Sequence, residues 1–244
     1  MLLWIIEEPI DPRSKAAKLE AIESNAKAAA PFFIHESPAE KNVSALDFQT
    51  NIAQFRGPAG ATRIEVSFLT PLLGNTHSNI STESKDTLEI IYSSLIRDLT
   101  YETIIRVGNS RKLPVKYAAL ENLPNAVNTM TMIAPPRMGE IFLQIKDTFD
   151  ERLGYAKQYI DVRDFRGRTL MLSDIQLYTE VTNENQRRAL PVMKKEDISV
   201  APYPYESIRK EQPFFCYFEI YNLLTGGVAN TYEIDIRIEW DRNR

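Results

Sequence analysis

Few residues in this 244-residue chain combine a type and a spacing suited to chemistry. The usual general base and metal ligand is histidine, and the two present, His35 in PFFIHESP and His77 in GNTHSNIS, sit in polar loop-like stretches far from each other. Both read as exposed loop side chains. A serine nucleophile needs a base and an oxyanion hole. Ser24 with Lys27 and Ser207 with Lys210 match the Ser-x-x-Lys spacing, but no Lys-Thr-Gly follows and no Gly-x-Ser-x-Gly elbow exists, so chance explains both. The most chemically suggestive residue is Glu219, a lone acid in the apolar run PFFCYFEIYNLLTGG over 213–227. It could be a general acid in an aromatic pocket. With no His, Asp or second acid beside it in sequence, it is expected instead to pair with an arginine or with tyrosine hydroxyls, because a lone buried carboxylate is costly. Tyr217, Glu219, Tyr221 and Asn222 are therefore assigned a structural role, and no catalytic residue is assigned.

Metal and phosphate chemistry find no better footing. Asp147, Asp150, Glu151, Asp161 and Asp164 could gather around calcium, but the chain has no DxDxDG-type loop. Arg152, Arg163, Arg166 and Arg168 stand among them, so ion pairs are expected and neither a metal nor a cofactor is. GPAG (57–60) and TGG (225–227) each lie between strand-like runs, without the helix N-terminus that would receive a phosphate, and read as hairpin turns. Asn42 and Asn79 head glycosylation sequons of the kind that arise by chance. The single cysteine, Cys216, excludes an internal disulfide and a cysteine-based zinc site. Tyr203 and Tyr205 bracket a proline in APYPYESI, a stiff amphipathic ledge suited to a partner contact.

The elements that must carry these residues are mostly strands. Residues 11–30, DPRSKAAKLEAIESNAKAAA, form the one expected helix, with Asp11 as cap and Pro12 in the first turn, followed by a linker to 46. From 47 onward the hydrophobic period becomes two. Ile64, Val66 and Phe68 oppose Arg63, Glu65 and Ser67; Ile141, Leu143 and Ile145 oppose Glu140, Gln144 and Lys146. Ile175, Leu177 and Val181 oppose Asp174, Gln176 and Glu180, and TYEIDIRIEW (231–240) alternates throughout. Such alternation predicts antiparallel sheets with one packed and one wetted face. Glycine-, proline- and asparagine-rich breaks at strand spacing, with no helices between, predict an all-β fold of two tandem immunoglobulin-like β-sandwich modules. The first spans 47–166 and holds seven or eight strands; the second, smaller, spans 167–244, beyond the hinge DFRGRTL (164–170). Within it, 213–223 reads as one central strand covered on both faces.

With 29 basic and 33 acidic residues, net charge −4 and no clustered basic face, nucleic acid is not an expected partner. No run reaches the roughly 18–20 apolar residues of a membrane span, and MLLWIIEEPID lacks the basic n-region of a signal peptide.

The segment FQTNIAQFRGPAGATRIEVSFLTPL, with Phe55-Arg56-Gly57 at the turn and Thr62 to Val66 in the strand, resembles the opening of the β-rich C-terminal region of GWxTD domain-containing bacterial proteins. Leu172 to Ile175 and Tyr217 to Leu223 resemble two later segments, so the likeness runs over roughly 48–240. The name-giving motif is absent: Trp4 and Trp240 have neither the Gly before nor the Thr-Asp after. The resemblance implies a β-rich fold and a periplasmic or exported location, and brings no catalytic residues. The expectation is a non-enzymatic structural or protein-binding module of a larger bacterial envelope-associated protein or assembly, using a protein partner or self-association through sheet edges. The alternative is a carbohydrate-binding module or an accessory domain of a hydrolase, which 11 tyrosines and 11 phenylalanines make possible.

Overall fold

The structure, a computed structural model, describes residues 46–71, 87–114, 125–148, 152–183, 193–195, 198–203, 213–223, 233–235 and 237. The expected helix over 11–30, both histidines, both Ser-x-x-Lys pairs, both sequons, Asp150, Glu151, Tyr205 and the 225–227 turn lie outside these residues. Every regular element among the described residues is a strand, apart from one 3-10 turn at Pro58–Gly60. None is a helix long and apolar enough to cross a membrane.

Seven strands come first: β1 (Gln49–Arg56), β2 (Thr62–Pro71), β3 (Thr87–Asp98), β4 (Thr103–Pro114), β5 (Asn125–Ala134), β6 (Met138–Asp147) and β7 (Arg152–Asp161). They form two antiparallel sheets, ordered β1-β2-β5 and β4-β3-β6-β7. The alternating apolar residues explain why the sheets stack. Ile64, Val66 and Phe68 from β2, Met130 and Met132 from β5, Ile90, Tyr92 and Ile96 from β3, and Ile141, Leu143 and Ile145 from β6 share one buried core. At that core Phe68 sits 5.5 Å from Tyr92, centroid to centroid.

Six short strands follow: β8 (Met171–Leu172), β9 (Gln176–Asn183), β10 (Met193–Lys195), β11 (Ile198–Pro202), β12 (Phe215–Tyr217) and β13 (Ile220–Tyr221). They pair antiparallel in the orders β10-β11-β9-β12 and β13-β8. The hinge 164–170 contains no strand. Of the last alternating run, 233–235 and 237 are described, and they form no strand.

Three expectations about faces need correction. The second face of β2 is not wetted: Glu65 is 2% exposed and Ser67 is buried. Nor is that of β6, where Glu140, Phe142 and Gln144 are buried, with Arg97 and Lys157 lying over the Phe142 ring. At the start of β9 the faces are reversed. Gln176 and Tyr178 point inward and Ile175 is exposed, because the larger Tyr178 ring, with its hydroxyl donating to Gln176 Oε1, fills the space between the two groups of strands. Finally, 213–223 is not one strand. It breaks at Phe218–Glu219, so that β12 pairs with β9 and β13 with β8.

The β3–β4 hairpin turns through Leu99, Thr100 and Tyr101. The Tyr101 N–H donates to the Asp98 carbonyl and the Asp98 N–H to the Glu102 carbonyl, both at 3.0 Å. Asp98 Oδ1 accepts from Thr100 N, Thr100 Oγ1 and Glu102 N, and Oδ2 from Arg137. The third loop residue of such a hairpin is left-handed and usually glycine, yet Tyr101 holds it at φ 67°, a conformation that costs a side chain roughly 1–2 kcal/mol. Replacing Tyr101 with glycine is expected to stabilise the protein by about 1 kcal/mol, read as a higher urea midpoint at unchanged slope. A lower midpoint would mean that the ring holds the turn together.

Candidate functional site

The densest polar cluster among the described residues lies where the later strands cover the outer face of β1 and β2. That face carries Ala53 and Phe55 from β1, which pack against Tyr178, Val200 and Tyr217, and Arg63 and Glu65 from β2. Strand alternation puts Arg63 and Glu65 on the side opposite Ile64 and Val66, and antiparallel register sets Arg63 opposite Phe55. The buried Glu65 and the half-buried Arg63, in the middle of a sheet, then need partners from whatever covers it.

Strand β10 supplies the first. Lys195 Nζ donates to both Glu65 oxygens, at 2.6 and 2.7 Å. It lies 3.9 Å from the Phe55 ring centroid and 4.5 Å from that of Tyr217. The ammonium, 4% exposed as a residue, thus has a carboxylate on one side and two π faces around it. Glu219, at the break between β12 and β13, supplies the second. Arg63 Nη2 donates to Glu219 Oε1, and the Tyr217 and Tyr221 hydroxyls donate to Oε1 and Oε2 at 2.7 and 2.6 Å. Arg63 Nε also lies 3.2 Å from Glu65 Oε1, so Lys195, Glu65, Arg63 and Glu219 alternate in sign along one row.

The break that places Glu219 is itself bonded. Ser173 N–H donates to the Glu219 carbonyl at 2.9 Å, and Glu219 N–H donates to Ser173 Oγ at 2.8 Å. Asn222, at φ 62°, donates through Nδ2 to the Gly167 and Thr169 carbonyls and accepts from Arg56 Nη2. The free edge of β1 is closed by the same segments. Gln54 N–H donates to Asp174 Oδ2 and Arg56 N–H to the Tyr221 hydroxyl, each at 2.8 Å. Arg163 ties Asp174 and the Leu172 carbonyl to this edge. Unpaired edge amides invite association; those of Gln54 and Arg56 are satisfied within the chain.

Burial pushes the Tyr178, Tyr217 and Tyr221 hydroxyls well above the ordinary tyrosine range, with Glu219 adding to the effect at each. Burial opposes the charge on Arg63, yet Glu219 and Glu65 hold its pKa above the usual value. Lys195 is drawn down to about 8 by burial, against the upward pull of Glu65.

Sequence reasoning singled out Tyr217, Glu219, Tyr221 and Asn222, and the structure brings all four to this junction. It missed Arg63, Glu65 and Lys195. Alternation exposed the first two as an off-core pair, but nothing local links Lys195, 130 residues from Glu65, to them. Tyr203 is buried, with its N–H donating to the Leu177 carbonyl, so its ring does not form an open ledge. Of the hinge-region acids, Asp147 pairs with Arg152 at 2.7 Å and Asp164 with Arg166 at 2.6 Å. No three metal-ligating side chains converge among the described residues.

Every charge at the junction is matched by protein groups, so the arrangement holds sheets together. Removing one partner of a buried pair costs about 3–5 kcal/mol, whereas replacing both by apolar groups is often neutral. Glu65→Leu should therefore lower stability by about 3 kcal/mol or more, and Glu65→Leu with Lys195→Met should recover most of that. A double variant no more stable than the single one would contradict the pairing. The pH dependence follows by linkage. Unfolded Lys195 titrates near 10.5 and folded Lys195 near 8, so the unfolded state holds more protons between those values and stability rises with pH there. Above pH 10 the unfolded tyrosines ionise while Tyr217 and Tyr221 remain protonated, and stability falls. Thermal unfolding midpoints should rise from pH 8 to 10 and then decline, and Lys195→Met should lose the rising arm.

No family model and no curated protein matches the chain. One solved structure, described as the X-ray structure of Northeast Structural Genomics Consortium target SoR45, is similar at TM-score 0.29 and 6% identity, over 51% of this chain and 91% of that one. A likeness this slight carries no argument about either fold or activity.

Proposed function

We propose that this chain is a non-enzymatic structural and protein-binding module of a larger bacterial envelope assembly. The observation that carries this reading is the saturated junction. The one aromatic-lined acid that suggested catalysis, Glu219, is committed to Arg63, Tyr217 and Tyr221. A general acid or a sugar ligand needs a carboxylate with a free oxygen lone pair facing open space; this one faces its own protein. The strand orders β1-β2-β5 and β4-β3-β6-β7 fit the immunoglobulin-like plan, in which the first, second and fifth strands face a sheet built on the third and sixth. Such sandwiches serve as rigid spacers and as supports for loops that bind. The resemblance of Phe55 to Gly57, Thr62 to Val66 and Tyr217 to Leu223 to GWxTD domain-containing proteins adds the exported location.

The test is affinity capture from solubilised bacterial envelope fractions, beside hydrolase and glycan-binding panels. The expected outcome is a defined protein set retained by wild type and by Glu219→Gln alike, with glycans at background. Hydrolysis or sugar binding that Glu219→Gln abolishes while the fold survives would overturn the reading.

A further inference from the structure

Backbone N–H and C=O groups along a sheet edge are complementary to another extended chain. Two of the edge strands, β4 and β5, are tied to each other: Arg111 Nη1 donates to the Val127 carbonyl at 2.6 Å, and Asn128 Nδ2 to Asn109 Oδ1 at 2.8 Å. A third, β1, has its Gln54 and Arg56 amides bonded to Asp174 and Tyr221. The fourth, β7, keeps a gap. Antiparallel pairing turns successive residues alternately toward the partner strand and away from it. The register of β6 with β7 runs unbroken from Met138↔Asp161 to Asp147↔Arg152. The Leu153 carbonyl accepts from the Leu46 N–H at 3.0 Å, and the Asp161 carbonyl accepts from Gln54 Nε2 at 2.9 Å. Odd-numbered residues of β7 therefore face away from β6. Between the two filled positions stand Tyr155, Lys157 and Tyr159, whose N–H and C=O groups have no backbone partner among the described residues.

The same alternation puts these three side chains on the outer face of the sheet, level with Gln144, Phe142 and Glu140 of β6. The Tyr155 ring lies 6.2 Å from that of Phe142, and Tyr159 is 79% exposed. Lys157 Nζ is 2.7 Å from Glu140 Oε1, while its side chain stays 44% exposed. An ammonium has three hydrogens to donate, so one bond to Glu140 leaves room for a second carboxylate from outside.

We propose that the Tyr155–Tyr159 edge of β7 receives an extended segment of a protein partner as a further antiparallel strand, with an acid opposite Lys157 and apolar residues opposite the two tyrosines. This rests on the reading of the chain as a structural, protein-binding module and gives that reading a contact surface. The gap, closed at one end by Leu46 and at the other by Gln54, admits roughly five to seven residues. A second copy is the wrong occupant. Two β7 edges paired about their midpoints would set Lys157 against Lys157, and like charges directly opposite are unfavourable. The lysine thus discourages self-pairing and selects an acidic strand.

Two measurements on the intact chain test this. In the free protein, hydrogen exchange is expected to alternate along β7. The amides of Ala156 and Gln158 face β6 and should be protected, while those of Tyr155, Lys157 and Tyr159 exchange about a hundredfold faster or more. Odd amides as protected as even ones would mean that the chain covers its own edge, and would overturn the proposal. The second measurement titrates the end-capped peptide Thr-Val-Thr-Glu-Thr-Val-Thr and follows backbone amide shifts by NMR. Binding is expected with a Kd of roughly 1 mM or tighter, slowing exchange at the three odd amides. N-methylation of the second, fourth and sixth peptide residues, which would face β7, should weaken binding about tenfold or more. N-methylation of the third and fifth, which would face away, should leave it unchanged. Lys157→Pro removes an edge N–H without touching a bond to β6 and should weaken binding more than Lys157→Ala, which keeps the backbone donor. No binding at millimolar peptide, or binding indifferent to which residues are methylated, would overturn the edge contact. A captured envelope protein whose complex leaves the Tyr155, Lys157 and Tyr159 amides unprotected would sink the edge contact alone and leave the module reading standing.

Discussion

A carboxylate removed from water must be given a charge partner, and Glu65 sets that requirement in the middle of β2. Its strand neighbours Ile64 and Val66 face the core between the first two sheets. Alternation therefore forces Glu65 and Arg63 to the opposite side, beside Phe55 and Ala53 of β1. A face so mixed is unstable bare, because its rings want cover and its charges want partners. The later strands meet both demands. Val200, Tyr178 and Tyr217 cover the rings, while Lys195 and Glu219 answer the charges. The smaller group of strands is thus less a second sandwich standing alone than a polar and aromatic cover matched to the first.

Matching of this kind gives position more than stability. Four alternating charges taken out of water lose much of their attraction to desolvation, but their geometry admits few alternatives. Lys195 can reach both Glu65 oxygens only when β10 lies in its observed register, and Glu219 meets Arg63 only where the chain breaks between β12 and β13. The break explains why a run as apolar as 213–223 is not a continuous strand. Pairing Glu219 with Ser173 along the backbone turns its carboxylate toward Arg63, and Asn222 completes the corner in a left-handed conformation that asparagine tolerates well.

Much of the β-rich fold was legible from period two alone: the inward residues of β2 and β6, and the turn at 57–60, come straight from alternation and glycine chemistry. What alternation could not tell was whether the second face meets water. Glu65, Ser67 and Gln144 look like surface residues until a cover is placed over them, and that cover comes from long-range contacts that carry no local signal. The reversed start of β9 has the same origin. Counted by hydrophobicity, Ile175 and Leu177 outrank Gln176 and Tyr178, but the cavity beside Phe55 and Tyr217 is aromatic and polar, and it takes the tyrosine. Glu219 was legible as a residue needing partners; Lys195, its counterpart in the row, was not.

A cover so matched makes one cooperative body with the first pair of sheets, held through the face of β1 and β2. Native-state hydrogen exchange measures this most directly, because it gives the opening free energy of each amide. The amides of Leu177 and Tyr178 in β9 are expected to open with the same free energy, and the same urea dependence, as those of Leu143 and Ile145 in β6. Amides of β9 that open far more readily, through an event exposing little surface, while β6 stays closed would contradict it.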